Sequence, residues 1–375
     1  MIFKNIHIVQ AVIPKYRVPF FNQIIEKTNN NYFFYCSKYF KGYPSTEIED
    51  INFHITFFKI KSFFNIIFWF TDFKLLKNIK KGDIIVLEGN LRYLDNYKIL
   101  ILSKLLKFKI IWWSIYDMPY SSKINKLFRE LFMHLVDYNL VYTEKEYLNF
   151  VTKYKFFKNI SYLNNSIDIS RFKQNKEISN EVKEFSNKVL FNKNVLIYCG
   201  RLTKKPKLKI VFQFLKNYDF TNKFHFIIIG DGDEKTYLEN LSIKYKIENK
   251  VSFIGSIYNE EILSQYFKIS HLFVYPGSVG LSLFTAFANY LPVLTHNEYK
   301  YQAPEFYAIE NGFNSILFNY FDLNDFSDKI NFYFEDEVKI NTMKQNAFNT
   351  VNEKYNIDKM SNNFIRVLNF INEQN

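Results

Sequence analysis

The sequence predicts an α/β protein built from two successive parallel-sheet domains. Three observations carry that reading. Short β-branched and aromatic runs alternate with longer amphipathic stretches, which is the pattern of βα units. The alternation occurs twice, on either side of the polar segment RFKQNKEISNEVKEFSNK at 171–188. A length of 375 residues also exceeds what one hydrophobic core holds comfortably.

The strands expected in the first half are IHIVQAV, DIIVLEG, KIIWWSI, YNLVYT and ISYLNNS. Those of the second half are VLIYCG, FHFIIIG, KVSFIG, HLFVYP and LPVLTH. Helix-like periodicity lies between them, in KLKIVFQFLKN, KTYLENLSIKYK, EEILSQYFKIS and FSDKINFYFEDE. The boundaries that follow are a first domain over 1–185 and a second over 186–355. Residues 356–375 form a C-terminal helix expected to pack back on the first domain.

The net charge of +12 is uneven. Residues 1–190 hold 29 Lys and Arg against 17 Asp and Glu, and residues 191–375 hold 20 against 20. A basic half beside a neutral half implies that the first meets something anionic. The 43 Phe and 28 Tyr accompany abundant Lys, Asn and Ile, a composition bias rather than a nucleic-acid signature. The lysines are scattered along helices and no nucleic-acid motif occurs, so no nucleic-acid partner is expected. Cys36 and Cys199 give neither a disulfide framework nor a metal cluster. The first residues lack the apolar core and cleavage site of a signal peptide, and no window has the roughly 18 apolar residues of a membrane span. A cytoplasmic location is the expectation.

Ligands of open α/β sheets bind at the carboxyl ends of the strands. Four second-half loops qualify. In CGRLTKKPKLK, Arg201 follows a strand and Lys204, Lys205, Lys207 and Lys209 come soon after. A guanidinium beside an ammonium suits a diphosphate leaving group, and a solvated basic helix start is the plainer alternative. FIIIGDGDE is a tight turn at Gly230. In VSFIGSIY, the backbone of Ile257 and Tyr258 can meet a base edge or simply turn. The fourth loop opens YPGSVGLSLFTAFANYLPVLTH, 275–296, which contains no Lys, Arg, Asp or Glu. At such a helix entry, free N–H groups hold phosphate without side-chain charge; a buried entry chosen for packing is the alternative.

Taken in order, CGRL, GDG, FIGSI and HLFVYPGSVGLSLFTAFANYLPV resemble the donor-binding domain of retaining GT-B glycosyltransferases, the group 1 or family 4-like enzymes. THNEYKYQAPEFYAIENGFNSILF resembles a bacterial surface-polysaccharide subgroup of them. So do IPKYRVPFFNQI, DIIVLEGNLRYLDNY and YLNNSIDISRF in the first half. The resemblance implies the GT-B fold, two Rossmann-like domains with parallel sheets facing a central cleft. It further implies a metal-independent, retaining hexosyl-type transferase. The donor is a nucleotide sugar of unspecified base, the acceptor is a glycan or lipid-linked molecule of lipopolysaccharide, capsule or related glycan synthesis, and no cofactor is needed.

Residue by residue, Arg201 matches the diphosphate-binding arginine. Its lysine partner is Lys207, with Lys205 in reserve, since Pro206 occupies the position between them. Gly280 and Leu281 match the backbone contacts to the donor phosphates, and Ile257 flanks the base. Gly200, Gly230 and Ser278 belong to the same donor loops. Gly277 and Thr285 stand where the family carries two glutamates, the first toward the sugar and the second toward the ribose. Glu305 in QAPEF is a substitute carboxylate or a surface ion-pair partner. On the acceptor side the resemblance points to Tyr16, Arg17, Glu88, Asn90 and Asp117. Ile115 or Tyr116 stands where the subgroup often has a histidine. No acidic metal site is expected. The missing glutamates leave a second reading open, a non-catalytic GT-B scaffold that binds a sugar nucleotide or a partner transferase. A nucleotide-sugar epimerase is a third, without its characteristic acid and histidine pairs.

One basic segment has its own two readings. In FFKIKSFFNIIFWFTDFKLLKNIKK, 57–81, Lys59, Lys61, Lys74, Lys77, Lys80 and Lys81 bracket an apolar core centred on Trp69. It fits either a stretch lying in an anionic bilayer interface or a buried amphipathic helix. The charge of the first half favours the former, and with it peripheral attachment at the inner face of the plasma membrane.

Overall fold

The computed structural model describes residues 5–40, 43–46, 51, 53–63, 66–70, 74–116, 121–172, 177–217 and 223–373. They fall into two units, Met1–Asp168 with Ile357–Asn375, and Ile169–Asn356.

The first unit runs β1 (Asn5–Val9), α1 (Val18–Lys27), β2 (Asn31–Cys36), β3 (Tyr39–Phe40), β4 (Tyr43–Pro44), β5 (Ile55–Phe57), β6 (Lys59–Phe63), β7 (Ile66–Phe70) and α2 (Lys74–Asn78). It continues with β8 (Ile84–Glu88), α3 (Leu94–Leu106), β9 (Lys109–Ser114), α4 (Lys123–Leu135), β10 (Tyr138–Val141), α5 (Glu144–Lys153) and β11 (Ile160–Tyr162). Seven strands form one sheet in the order β11-β10-β9-β8-β1-β2-β5, and every pairing in it is parallel. Its central strands are apolar on both faces because helices cover both. Ile6, Ile8 and Phe34 pack under Phe20, Phe21 and Ile24 of α1. On the opposite face, Leu87, Trp112 and Val141 pack under Leu100, Phe132 and Phe150 of α3, α4 and α5. Two of the helix starts are capped by short polar side chains: on α4 Ser122 accepts from the Asn125 amide, and on α5 Thr143 and Glu146 form a reciprocal capping box.

The basic segment 57–81 does not form the amphipathic helix of its buried reading. Lys59–Phe63 pairs antiparallel with Ile66–Phe70, Lys59 opposite Phe70 and Phe63 opposite Ile66, and among the segment's described residues only Lys74–Asn78 is helical. The pairing of these two runs, rather than their composition, decides between strand and helix.

The second unit begins with a single turn at Ser170–Phe172 and α6 (Asn180–Val189). It continues β12 (Asn194–Cys199), α7 (Lys209–Asn217), β13 (Phe224–Ile229), α8 (Lys235–Tyr245), β14 (Val251–Gly255), α9 (Glu260–Lys268) and β15 (Leu272–Val274). Then follow α10 (Ser282–Ala288), β16 (Val293–His296), β17 (Ser315–Phe318), α11 (Leu323–Phe334) and α12 (Glu337–Glu353). Its six strands are parallel in the order β14-β13-β12-β15-β16-β17. The division falls at 168/169, upstream of residue 186, because the segment before β12 is tied to α9: the Ser179 amide donates to Gln265 Oε1 at 3.0 Å, and Arg171 pairs with Glu260 at 2.9 Å. The last helix, α13 (Ile357–Glu373), joins the first unit, where Met360, Phe364, Val367 and Leu368 enter the core beside α1. In each sheet the first strand, β1 or β12, lies inside with its next neighbours on both sides. The carboxyl edge at that switch point is where a ligand fits.

Candidate functional site

At the carboxyl edge of the second sheet, three loops lock together through their backbones. The Gly200 amide donates to the Ile229 carbonyl at 3.0 Å, the Leu202 amide to Asp231 O at 2.9 Å, and the Glu234 amide to Leu202 O at 3.0 Å. A Cβ on Gly230 would fall on the Gly200 carbonyl. A Cβ on Gly277 would fall on the Lys205 carbonyl. These two positions therefore accept only glycine while the loops keep this path.

The β15–α10 loop is held from outside itself. Buried Gln302 accepts from the Val279 amide at 3.0 Å through Oε1, and its Nε2 donates to Thr295 Oγ1 at 3.0 Å and the His296 carbonyl at 2.9 Å. Thr295 Oγ1 in turn donates to the Gly277 carbonyl at 3.3 Å. The first internal bonds of the turn come from the Leu283 and Phe284 amides. Among the described residues, the amides of Gly280, Leu281 and Ser282 find no acceptor in the chain. Open space adjoins Gly280, since a Cβ there would touch nothing within 4 Å. Three successive N–H groups without partners, beside open space, can hold an anion.

Arg201 projects its side chain to solvent, and its carbonyl accepts from the Tyr198 hydroxyl at 3.0 Å. Lys207 adopts a left-handed backbone, φ 55°. Its ammonium lies 4.4 Å from the Phe321 ring and 5.3 Å from that of Tyr320. The three side chains line a cavity of about 720 Å³ together with Thr203, Lys204 and Pro276. Lys205, Arg201, Ile257, Gly280 and Leu281 are not among its lining residues. The cavity therefore takes only Lys207 from the expected donor set. Ile257 is half-buried after β14, and Ser278 is half-buried in the loop. Thr285 sits on α10 with its carbonyl accepting from Asn289 at 2.8 Å. Glu305 is buried in the short turn Pro304–Ala308.

Two residues here escaped the sequence reading. Gln302 makes three bonds across the loop, and His296 ends β16 fully buried. His296 Nδ1 accepts from the Glu298 amide at 3.2 Å, its Nε2 has no partner, and its ring packs 4.5 Å from Tyr320. Burial, aided by the Lys207 charge, lowers its pKa to about 4, so the ring is neutral near pH 7. The only signal for either was their place in the TH and QAPE strings; nothing in their spacing disclosed the contacts.

In the first unit, four acceptor-side residues lie at the carboxyl edge around β1 and β8. Arg17 is buried, donating to Gln10 Oε1 and to the Tyr142 hydroxyl, each at 2.9 Å, and stacking 4.4 Å from the Trp113 ring. Burial opposes its charge, yet Tyr16, Tyr142 and Glu88 outweigh it and raise the guanidinium pKa. Glu88 accepts from the Ala11 amide at 2.6 Å and the Tyr93 hydroxyl at 3.1 Å, and burial raises its carboxyl pKa against those bonds and Arg17. Asn90 Oδ1 accepts from the Arg92 amide at 3.1 Å. Tyr16 is half-buried beside Arg17. Asp117 lies outside the described residues. Arg17 and Glu88 thus brace the switch point from within. Among the described residues, no three His, Cys, Asp or Glu side chains are grouped to hold a metal ion.

Residues 179–350 match the family model of glycosyl transferases group 1, a span inside the second unit. The second unit is a glycosyl transferases group 1 domain. Two curated relatives match part of the chain. The alpha-monoglucosyldiacylglycerol synthase of Acholeplasma laidlawii is 26% identical over 159 residues, 41% of this chain and 39% of that protein. Protein CapJ of Staphylococcus aureus is 29% identical over 164 residues, 42% of this chain and 38% of that protein. The matched part thus spans about two fifths of either relative. Among solved structures, Anabaena Alr3699/HepE in complex with UDP superposes with a TM-score of 0.71 at 15% identity, over 98% of this chain and 100% of that one. At that identity the likeness is one of fold, and the fold is GT-B. The group 1 domain places its unpartnered amides on the loop after β15 and its Arg201 on the loop after β12, two neighbouring strands.

Proposed function

We propose that the chain is a metal-independent, retaining glycosyltransferase that moves a hexosyl-type sugar from a nucleotide sugar to a glycan or lipid-linked acceptor. The acceptor belongs to bacterial lipopolysaccharide, capsule or related glycan synthesis, and the work is done in the cytoplasm at the inner face of the plasma membrane. The observation that carries this reading is the run of unpartnered amides at Gly280–Ser282, fixed in place by Gln302. The diphosphate of a donor accepts from those amides, and Arg201 and Lys207 neutralise the charge that grows as it leaves. With departure and attack on one face of the sugar, the departing phosphate oxygen takes the acceptor proton, so neither a carboxylate nucleophile nor a metal is required. A diacylglycerol glucosylating relative and a UDP-bound structural neighbour are in keeping with this chemistry.

The blocked Gly277 position favours one competitor, a GT-B scaffold that binds a sugar nucleotide without turning it over. Purified protein offered UDP-, GDP-, dTDP- and CMP-sugars decides between them. Transfer or donor hydrolysis that falls by about 10²-fold or more in Arg201→Ala supports the enzyme. Nucleotide binding without turnover for any donor supports the scaffold.

A further inference from the structure

The first unit carries helices that are apolar on the outside as well as the inside. On α3, Asn96, Ile99, Leu100 and Ser103 face the sheet. Leu94, Tyr97, Ile101 and Leu105 recur at helical spacing on the opposite side, with Ile101 64% and Leu105 70% exposed. On α4, Phe132 and Met133 are buried. Ile124, Leu127, Phe128, Leu131 and Leu135 form a second outward stripe, in which Phe128 is 57% and Leu131 55% exposed. The two helices are neighbours on one face of the sheet, touching where Tyr97 meets Phe132 at 5.3 Å.

Neither stripe is free to turn inward. Arg129 of α4 donates to the Tyr116 carbonyl at 2.7 Å, and Glu130 accepts from Lys153, Tyr154 and the Tyr116 hydroxyl. These bonds fix which side of α4 faces solvent. Beyond α5, Phe156 is 95% exposed between Lys155 and Lys158. It adjoins Phe157, which packs 4.9 Å from His134 of α4. Lys98 and Lys104 flank the α3 stripe, while Lys123 and Lys126 lie on α4. Apart from Asp95 and the buried Glu130, the two helices carry no acidic side chain. Monomeric proteins rarely expose a contiguous apolar face of this kind without a partner.

We propose that the α3–α4 face, extended by Phe156, docks on the surface of an anionic lipid bilayer. The apolar stripes enter the head-group boundary and the lysines meet lipid phosphates. Charge decides the occupant, since a second copy of the chain would bring its lysine rows against these. The proposal assigns membrane contact to α3 and α4 rather than to the lysines of β6. It rests on the membrane-facing part of the functional reading and not on the transfer chemistry.

The test is flotation of the full chain with vesicles of phosphatidylcholine alone, or mixed with phosphatidylglycerol, at low and high salt. The wild type is expected to float with the mixed vesicles at low salt and much less with the neutral ones. Leu127→Gln with Leu131→Gln, and separately Ile101→Gln with Leu105→Gln, are expected to weaken that binding at least about tenfold with unchanged circular-dichroism melts. Lys104→Glu with Lys123→Glu does the same on the electrostatic side, whereas Lys59→Glu with Lys61→Glu on β6 leaves flotation intact. Absence of flotation at low salt overturns the proposal, and so does flotation indifferent to the α3 and α4 variants. Self-association by light scattering, abolished by the same variants and without vesicle binding, overturns it in favour of a second copy. Transfer to a short soluble acceptor separates the two readings. Vesicle binding without turnover upholds the surface and sinks the transferase, whereas turnover without vesicle binding does the reverse.

Discussion

Gly277 stands where the resemblance places a sugar-facing carboxylate, and the backbone around it leaves no room for one. The Lys205 carbonyl occupies the space that any Cβ would need. Gly277→Ala is therefore expected to destabilise the second unit by about 1–3 kcal/mol through overpacking, and Gly277→Glu by more. A thermal melt of each variant checks this; a Gly277→Glu protein as stable as wild type would show that the loop yields. Gln302 presents the opposite case, a side chain whose removal leaves partners behind. Gln302→Leu deprives the Val279 amide of its buried acceptor and Thr295 of a donor, at a cost of about 1–3 kcal/mol. Under the proposed function it also weakens donor binding, because the amides of Gly280 and Leu281 are no longer held. A melt and a donor titration measure the two effects separately, and Gln302→Glu, which keeps the acceptor, is expected to restore part of both.

At the scale of elements, the second sheet contains three histidines kept neutral by burial. His225 on β13, His271 before β15 and His296 at the end of β16 each have a pKa lowered to about 4. In the unfolded chain each titrates near 6.5. Between these values the unfolded state binds more protons, so stability falls as pH drops from about 6.5 toward 4, by up to about 1.4 kcal/mol per pH unit for each ring. Melting temperature followed across that window checks the slope, and His225→Gln is expected to flatten it. The strands at these residues were legible in the sequence because both faces of a covered parallel sheet are largely apolar, giving the runs FHFIII, HLFVY and LPVLTH. Segment 57–81 was not, because lysines among Phe and Ile fit a helix and a strand pair equally until the partner strand is known. The loops at the carboxyl edge were legible as glycine strings after strands, but what fixes them was not. Gln302 acts on residues 6, 7 and 23 positions away, and no local pattern records such contacts.

Across the whole molecule, sequence order and structural membership part company at the last helix. α13 follows the second unit in the chain but fills the core of the first, where Phe364 meets Phe20 at 5.6 Å between ring centres. Phe364→Ala is thus expected to cost the first unit about 3–5 kcal/mol while leaving the nucleotide affinity of the second unchanged; a two-transition melt with and without nucleotide resolves the units. The charge asymmetry belongs to this scale too, since under the two proposals the basic first half would meet an anionic surface and the neutral second half a ligand held by backbone. The central claim is that the Gly280–Ser282 turn holds the diphosphate of a nucleotide. The chain has only 10 glycines, so selective ¹⁵N-glycine labelling gives a spectrum simple enough to follow the Gly280 amide directly, assigned through Gly280→Ala, which the open space there accommodates. Titration with UDP, GDP, dTDP and CMP is predicted to move the Gly280 resonance with at least one nucleotide, while Gly82 in the first unit stays still. A Gly280 amide unmoved by every nucleotide, or movement confined to other glycines, would contradict the account.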